Sequence, residues 1–263
     1  MRSRFAAIAA VSVAVLLSGC STPAAEPTAG SDASSSPSLS GALTVYAAAS
    51  LTDVFETIAQ GFEEENPGVD VTFNFAGSSD LVAQLSEGAP ADVFASADEK
   101  NMIAAADGGL LDGDDELFAS NTLEIAVPAG NAARIASLAD LARPDLRVVV
   151  CAPQVPCGAA TQKVVEAAGV ALTPVSEESS VTDVLAKVAS GEADAGLVYV
   201  TDIARADGDV EGVPFDESSA AVNRYPIATL AGSADPGLAR AFADYVLGAA
   251  GQAALADAGF GAP

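Results

Sequence analysis

The segment LTVYAAASLTDVFETIAQGFEEEN, residues 43–66, contains the pattern that decides the fold. Its first part, Leu43–Ala47, is rich in β-forming residues and predicts a buried strand. The second part, Asp53–Glu65, carries apolar side chains at helical spacing and stops at an Asn-Pro-Gly turn, so it predicts an amphipathic helix. A short run of Ala and Ser separates the two. A strand that leads directly into a helix is the repeating unit of α/β proteins.

The same alternation continues along the chain and predicts an α/β fold without internal repeats. Further strands are expected at Val69–Phe75, Val93–Ser96, Leu123–Val127, Val148–Cys151, Ala195–Val200 and Ile227–Leu230. Further helices are expected at Leu81–Glu87, Ala159–Ala168, Val184–Ser190 and Leu238–Leu247. A glycine follows each of these helices, where a left-handed residue is expected.

Small or hydroxyl-bearing residues occupy four strand-to-helix junctions. They are Ala49-Ser50, Gly77-Ser78-Ser79, Cys157-Gly158-Ala159 and Ser180-Val181-Thr182. In open α/β sheets, ligands bind beyond the carboxyl ends of the strands, where helix N-termini present N–H groups. Converging junctions would therefore form an anion pocket without Lys or Arg. Ser and Thr are also ordinary helix N-caps, and Ser50 with Asp53 fits a capping box, so a purely structural role stays open.

The composition excludes several classes of protein. The 263 residues include 11 Lys and Arg against 36 Asp and Glu, a net charge of −25, and they include no His and no Trp. Without His, the chain has no Ser-His-Asp or Cys-His catalytic system and no His-ligated metal site. The excess of acidic side chains argues against binding to nucleic acid or to anionic lipid surfaces. The length and the apolar content suffice for a core of one or two domains.

The first 40 residues are interpreted as an export signal and a tether. Two arginines precede an apolar run that is shorter than the ~20 residues of a membrane-spanning helix. Residues 17–20, Leu-Ser-Gly-Cys, resemble a bacterial lipobox, so we expect a lipoprotein signal peptide at 1–19 and lipidation of Cys20. An ordinary cleaved signal with an incidental Cys20 is the alternative. The Ser-, Ala- and Pro-rich segment 20–40 is expected to be a lipid-anchored, disordered tether.

Cys151 and Cys157 remain as a pair if Cys20 is lipidated. In an exported protein, two cysteines separated by five residues, two of them proline, indicate a disulfide. The bridge would connect the end of one strand to the start of the next helix. Two unpaired buried thiols are the alternative.

Three segments carry a family resemblance. They are TVYAAASLTDVF (44–55), FNFAGSSDLVAQL (73–85) and GAPADVFASAD (88–98). These segments resemble the molybdate-binding proteins of bacterial molybdate ABC transporters. The resemblance continues in the same order through Val155–Gly158, Ser179–Val181, Ala195–Tyr199 and Tyr225–Ile227, and it covers nearly everything from Leu43 to Phe260.

The resemblance implies a two-lobed α/β fold of the periplasmic-binding-protein type II, with the ligand cleft between the lobes. The first lobe is expected to comprise residues 41–120 and 222–263, and the second residues 121–221. The crossover segments are expected near Ser120–Thr122 and Ala221–Arg224. The same likeness implies a monomeric extracytoplasmic protein that delivers an oxyanion to an ABC permease, without a cofactor and without enzymatic activity. The lipobox adds the expectation of a lipid anchor.

Five residues match the positions that bind the oxyanion in that family: Ser50, Ser78, Cys157, Val181 and Tyr199. The two serines and the tyrosine would donate hydrogen bonds through their hydroxyl groups, and Cys157 and Val181 through backbone N–H groups. Cys157 stands where the family commonly has a small residue such as Ala, which leaves its side-chain environment open. A Tyr at the end of an apolar strand is otherwise an ordinary core residue.

The chemistry of molybdate agrees with this set of residues. Molybdate at neutral pH is a fully deprotonated dianion, so its four oxygens only accept hydrogen bonds and a matching site needs only donors. No cationic metal site is expected, because the molybdenum would be bound as the oxyanion. Asp53 and Asp80 lie near the serines and are interpreted as helix-start carboxylates. Tungstate should bind as well, since it has nearly the same size. Sulfate or phosphate binding on the same fold, or a secreted carboxylate-based hydrolase, are the alternatives.

Overall fold

The computed structural model describes residues 39–263, which form ten strands in two sheets. The expected signal peptide, the lipidation site Cys20 and nearly all of the tether lie outside these residues. In chain order the strands are β1 (Ser40–Ala48), β2 (Gly68–Ala76), β3 (Val93–Ala95), β4 (Glu116–Asn121), β5 (Leu123–Pro128), β6 (Val148–Cys151), β7 (Ser176–Glu178), β8 (Ala195–Tyr199), β9 (Val210–Val213) and β10 (Asn223–Thr229). Within residues 39–263, no helix has the length and apolar character needed to cross a membrane.

The helices connect the strands and cover the sheets. They are α1 (Thr52–Glu65), α2 (Ser78–Ser86), α3 (Glu99–Asp107), α4 (Pro156–Ala168), α5 (Val181–Ala189), α6 (Val200–Ala204), α7 (Pro236–Leu247) and α8 (Ala249–Asp257), with short 3-10 helices at Ala49–Leu51, Leu138–Ala142 and Asp216–Ala220. The predicted left-handed glycines are present at Gly88, Gly169 and Gly191. Gly248 is instead extended, with φ −75°, because it is also the N-cap residue of α8.

Both sheets have the same arrangement of strands. The first has the order β2-β1-β3-β10-β4 and the second the order β7-β6-β8-β5-β9. In each sheet the first three strands are parallel, and the fourth pairs antiparallel with both of its neighbours. The carboxyl ends of the three parallel strands therefore lie at one edge of each sheet, which is where an α/β protein binds its ligand.

The chain passes between the two sheets twice. Thr122 connects β4 of the first sheet to β5 of the second, and residues 214–222 return from β9 to β10. Buried apolar side chains form separate cores around the two sheets. The molecule is therefore a two-lobed α/β protein, as the resemblance implies.

Several elements escape the sequence-based prediction. β4, β7 and β9 and helices α3, α6 and α8 are present in addition to the predicted elements. β7 has the sequence Ser-Glu-Glu and lies at the edge of its sheet, so no hydrophobic pattern marks it. α8 consists mostly of Ala and Gly and has no contrasting polar face. β10 begins at Asn223 and not at Ile227, which brings Asn223 and Tyr225 into the first sheet.

Candidate functional site

The four predicted junctions meet at one cavity between the lobes. The junctions after β1 and β2 belong to the first lobe, and those that begin α4 and α5 belong to the second. The cavity comprises about 190 Å³ of space, part of which is open to solvent, and is lined by Ala48, Ala49, Ser50, Ala76, Gly77, Ser78, Ala97, Val155, Pro156, Cys157, Val181 and Tyr199. The structure thus brings all five residues expected to bind the oxyanion to the lining of one cavity.

Ser50 lies in the 3-10 turn that connects β1 to α1, and it is buried. The predicted capping box with Asp53 is wrong, because α1 begins after Leu51 and no side chain caps it. Instead, the Ser50 hydroxyl lies 3.1 Å from the hydroxyl of Tyr225. Its side chain therefore belongs to the cavity wall and not to the start of its helix.

Ser78 is the first residue of α2 and is fully buried. Its Oγ accepts a hydrogen bond of 3.0 Å from the backbone N–H of Ala97. The preceding Gly77 lies against the second lobe, so close that a Cβ atom would overlap with the carbonyl oxygen of Ser179. Glycine is needed here because a side chain would hold the two lobes apart.

The second lobe contributes backbone N–H groups at two helix starts. Cys157 is the second residue of α4 and Val181 is the first residue of α5, and both are buried. The N–H groups of a first helical turn have no acceptor within the helix and form the positive end of its dipole, so they favour an anion. At α5 the Ser180 side chain accepts a hydrogen bond from the Asp183 N–H, so the structural interpretation of this serine is confirmed.

Cys151 and Cys157 form the predicted disulfide. The bridge ties the last residue of β6 to the first turn of α4. Within the loop, the Val155 N–H donates to the Ala152 carbonyl at 3.0 Å. Gly158 packs directly on this loop, and its missing Cβ would collide with backbone atoms of Cys151 and Ala152. The bridge and the close packing together hold the segment that carries the Cys157 N–H.

Tyr199 ends β8 and is 1% exposed. Its hydroxyl oxygen accepts a hydrogen bond of 3.0 Å from the side-chain amide of Asn223. Burial raises the pKa of the Tyr199 hydroxyl well above its ordinary value of 10, so the group keeps its proton at neutral pH. The ring also packs edge-on against Tyr225, with 6.0 Å between the ring centroids. Tyr199 is therefore a core residue whose polar end reaches the cavity.

The wall of the cavity has donors but no charged side chain among the described residues. Asp53 and Asp80 lie in the first turns of α1 and α2, as expected for helix-start carboxylates, and neither lines the cavity. The Asp53 side chain is 61% exposed and lies 3.9 Å from Arg205. Residues 39–263 also contain no cluster of three His, Cys, Asp or Glu side chains suited to a metal ion. This arrangement suits an anion that carries no proton.

Four buried polar residues near the cavity were not predicted. They are Asn121, Thr201, Asn223 and Tyr225. Asn223 and Tyr225 lie two residues apart on β10 and therefore face the same side of the sheet. The Asn-x-Tyr spacing is a signal for this pair, but a strand predicted to start at Ile227 leaves it out. Both residues contact predicted site residues through their polar atoms.

Comparison with known proteins identifies the family. The family model of bacterial extracellular solute-binding proteins matches residues 43–261. The chain is 48% identical over 257 residues to the molybdate-binding protein ModA of Mycobacterium tuberculosis, an alignment that covers 97% of this chain and 96% of that protein. It is 33% identical over 218 residues to the molybdate-binding protein ModA of Escherichia coli, covering 79% and 84% of the two chains.

A solved structure agrees in fold. The periplasmic molybdate-binding protein of Azotobacter vinelandii superposes with a TM-score of 0.71 at 23% identity, over 84% of this chain and 99% of that one. At this level of identity the match shows the fold alone. The family model and the two relatives show that this chain belongs to the bacterial extracellular solute-binding protein family.

Proposed function

We propose that this protein captures molybdate, and also tungstate, outside the cytoplasmic membrane and delivers it to the permease of an ABC transporter. The observation that carries this proposal is the cavity between the lobes, which is lined by the buried residues Ser50, Ser78, Cys157, Val181 and Tyr199. The hydroxyl groups of the two serines and the tyrosine, and the backbone N–H groups of Cys157 and Val181, can all donate hydrogen bonds. The relatives with 48% and 33% identity, both named molybdate-binding proteins, support the same ligand.

Binding and closure are coupled in this proposal. Ser50 and Ser78 come from the first lobe, and Cys157, Val181 and Tyr199 from the second. An anion held by both sets joins the lobes, so the closed arrangement gains stability from the ligand. Each hydrogen bond to a charged group contributes about 1.5–3 kcal/mol. The anion is bound and released without chemical change, so we assign no enzymatic activity and no cofactor.

The hydrogen-bond donors of the site also determine which oxyanions it selects. Molybdate and tungstate carry no proton at neutral pH, whereas phosphate does, and the wall offers no carboxylate to accept that proton. Sulfate is also an unprotonated tetrahedral dianion, so the size of the cavity must discriminate against it.

The location of the protein follows from its N-terminal segment. We propose that residues 1–19 are removed, that Cys20 is lipidated, and that residues 20–40 tether a monomeric binding unit to the outer face of the membrane. We further propose that this unit divides into lobes of residues 41–120 plus 222–263 and 121–221. The crossings at Thr122 and at residues 214–222 lie close to these boundaries and support the division.

A panel of thermal shifts tests the ligand. A ligand that binds only the folded state raises the free energy of unfolding by RT ln(1 + [L]/Kd), about 4 kcal/mol at a thousandfold excess over Kd. We expect shifts with molybdate and tungstate that exceed those with sulfate and phosphate at equal concentration. A shift with sulfate or phosphate, and none with molybdate or tungstate, would overturn the assignment.

A double variant tests the site. Ser50→Ala with Ser78→Ala removes two hydroxyl donors and should weaken molybdate binding more than a hundredfold, which cuts the stabilisation from about 4 to about 1.4 kcal/mol or less. The control is Ser86→Ala with Ser190→Ala, whose hydroxyls donate to helix carbonyl groups outside the cavity. The control should keep the full shift. Equal shifts for both double variants would contradict the proposed site.

A further inference from the structure

Two hydroxyl groups of the cavity wall receive a hydrogen bond from a group that can only donate. The backbone N–H of Ala97 donates to Ser78 Oγ at 3.0 Å, and the amide of Asn223 donates to the Tyr199 hydroxyl at 3.0 Å. A hydroxyl oxygen that accepts from such a donor keeps its own proton for another partner. Both hydroxyl-bearing residues line the cavity, so a bound oxyanion can be that partner, and for Tyr199 the neighbouring Tyr225 hydroxyl is a competing acceptor.

The orientation of the Asn223 amide is set by a second contact. Its Nδ2 also donates to the backbone carbonyl of Ala97 at 2.8 Å, and a carbonyl oxygen can only accept. A flipped amide would place two acceptors against each other, so the nitrogen must face both Ala97 and Tyr199. The peptide backbone at Ala97 thereby fixes both hydroxyls, Ser78 directly and Tyr199 through Asn223.

We propose that Asn223 is a positioning residue that turns the Tyr199 proton away from itself and toward the cavity, so that this hydroxyl serves the site as a donor and favours oxyanions without a proton. The inference rests on the proposed function and deepens it. Asn223 is 7% exposed and lies on β10 of the first lobe, whereas Tyr199 ends β8 of the second. The contact therefore crosses between the lobes, and the direction of the Tyr199 proton is set where they meet.

A matched control lies opposite Asn223 in the sheet. Asn121 on β4 is the Cα partner of Asn223 on β10 and is buried to a similar extent, at 6% exposed. Its side chain donates to the hydroxyl of Thr201 at 2.8 Å and accepts from the Thr122 N–H, and its amide also reaches the Tyr225 hydroxyl but not that of Tyr199. Substitutions at Asn121 thus perturb the same crossing and introduce the same charge without removing the donor to Tyr199.

A double-mutant cycle with molybdate tests the proposal. Calorimetry would compare Asn223→Ala and Asn121→Ala, each in the wild type and in Tyr199→Phe. We expect Asn223→Ala to raise the Kd at least tenfold in the wild type and less than twofold when the Tyr199 hydroxyl is absent. Asn121→Ala should change the Kd by the same factor in both backgrounds. An equal factor for Asn223→Ala in both backgrounds would show that Asn223 acts only on the fold, and would overturn the proposal.

A second pair of variants tests the same proposal without shortening the Asn side chains. Asn223→Asp presents a carboxylate that accepts the Tyr199 proton, so molybdate should bind at least tenfold more weakly than to Asn121→Asp, and the preference for molybdate over phosphate should narrow. Equal affinities for the two Asp variants would count against the inference.

Failure of the proposed function gives a different result. In that case the wild-type protein itself binds neither molybdate nor tungstate. The double-mutant cycle would then be measured with sulfate, if sulfate binds. A wild-type preference for phosphate would overturn the inference as well.

Discussion

Asp202 is a carboxylate with no solvent exposure, directly behind the candidate site. Its Oδ2 accepts from the Tyr199 N–H at 2.9 Å, and its Oδ1 accepts from the Arg205 guanidinium at 3.0 Å. Burial raises the pKa of Asp202 from 3.8 to about 6, although Arg205 and the Tyr199 N–H act in the opposite direction. The folded protein therefore holds a proton on Asp202 more tightly than the unfolded chain does.

This raised pKa predicts a pH-dependent loss of stability. The contribution of Asp202 is fully present below pH 4 and is lost as the pH rises through 6, because ionisation is easier in the unfolded chain. A difference of two pKa units corresponds to about 3 kcal/mol. Urea unfolding of the wild type and of Asp202→Asn at pH 4 and pH 7 should show the wild type losing about this amount relative to the variant. A difference between the two proteins that does not change with pH would contradict the prediction.

Gly77 is important because its backbone packs closely against the second lobe. The nearest atoms to its missing Cβ belong to the second lobe: the Ser179 backbone and, at 3.4 Å, Val155 Cγ1. Its own backbone, at φ −60° and ψ 138°, is one that alanine adopts without strain.

Gly77→Ala should therefore hinder closure without unfolding either lobe. We expect molybdate affinity to fall about 5- to 150-fold, as an overlap at a packed contact costs about 1–3 kcal/mol, with little change in the Tm of the ligand-free protein. Calorimetry and thermal unfolding measure the two effects. Gly232→Ala, at a position with open space around it, is the control and should leave both values unchanged. Wild-type affinity in Gly77→Ala would show that the lobes need not approach this closely.

At the scale of elements, the connection from β6 to α4 is the segment that positions the Cys157 N–H of the second lobe. The disulfide closes a loop from Cys151 to Cys157. The Ala152 N–H donates to the Glu178 carbonyl of β7, and the Ala152 carbonyl accepts from Val155 within the loop. A loop this short gains about 2 kcal/mol from the bridge in the chain-entropy model.

Reduction of the bridge should lower stability by about that amount. A reducing agent should lower the Tm of the wild type by roughly 4–8 °C, since 1 kcal/mol corresponds to about 2–4 °C in a protein of this size. The double variant Cys151→Ser, Cys157→Ser should show no response to the reductant. A wild type that is equally insensitive would mean that the loop's packing alone holds it in place.

At the scale of the whole molecule, the charge opposes the proposed ligand. The first 40 residues contain two basic and two acidic side chains, so the folded part retains nine basic against 34 acidic residues and a net charge of −25. Repulsion between like charges slows encounter and is screened by salt, whereas hydrogen bonds inside a closed cavity are screened much less.

The association rate constant for molybdate should therefore rise as ionic strength increases from about 10 to about 150 mM, with little change in the dissociation rate constant. Stopped-flow tyrosine fluorescence can follow both, since Tyr199 lies at the site and the chain has no Trp. An association rate constant that falls with salt would show instead that a local positive field dominates. Its source would be the groove beside the site that Lys100, Lys163 and Arg224 line.

The site residues that can be predicted from the sequence lie where a strand ends or a helix begins. Ser78, Cys157 and Val181 stand at helix starts that short-range patterns indicate, and the structure places each on the cavity wall. Asn223 was not predicted as a site residue because its role arises from contacts with Ala97 and Tyr199, far away in the chain. The same distance explains the error at Ser50, whose partner is Tyr225 and not its own helix.

The sequence by itself determined the α/β class, the two cysteines of the bridge and the small, uncharged junctions, because strand and helix periodicity and turn composition act over a few residues. Only the tertiary structure decided how these junctions meet, which partner each hydroxyl has and where the lobes touch. Those features depend on β10 returning to the first sheet after the second lobe is complete, a pairing between segments roughly a hundred residues apart. Hydrogen-bond direction at Tyr199 is set by this long-range pairing, and no local pattern encodes it.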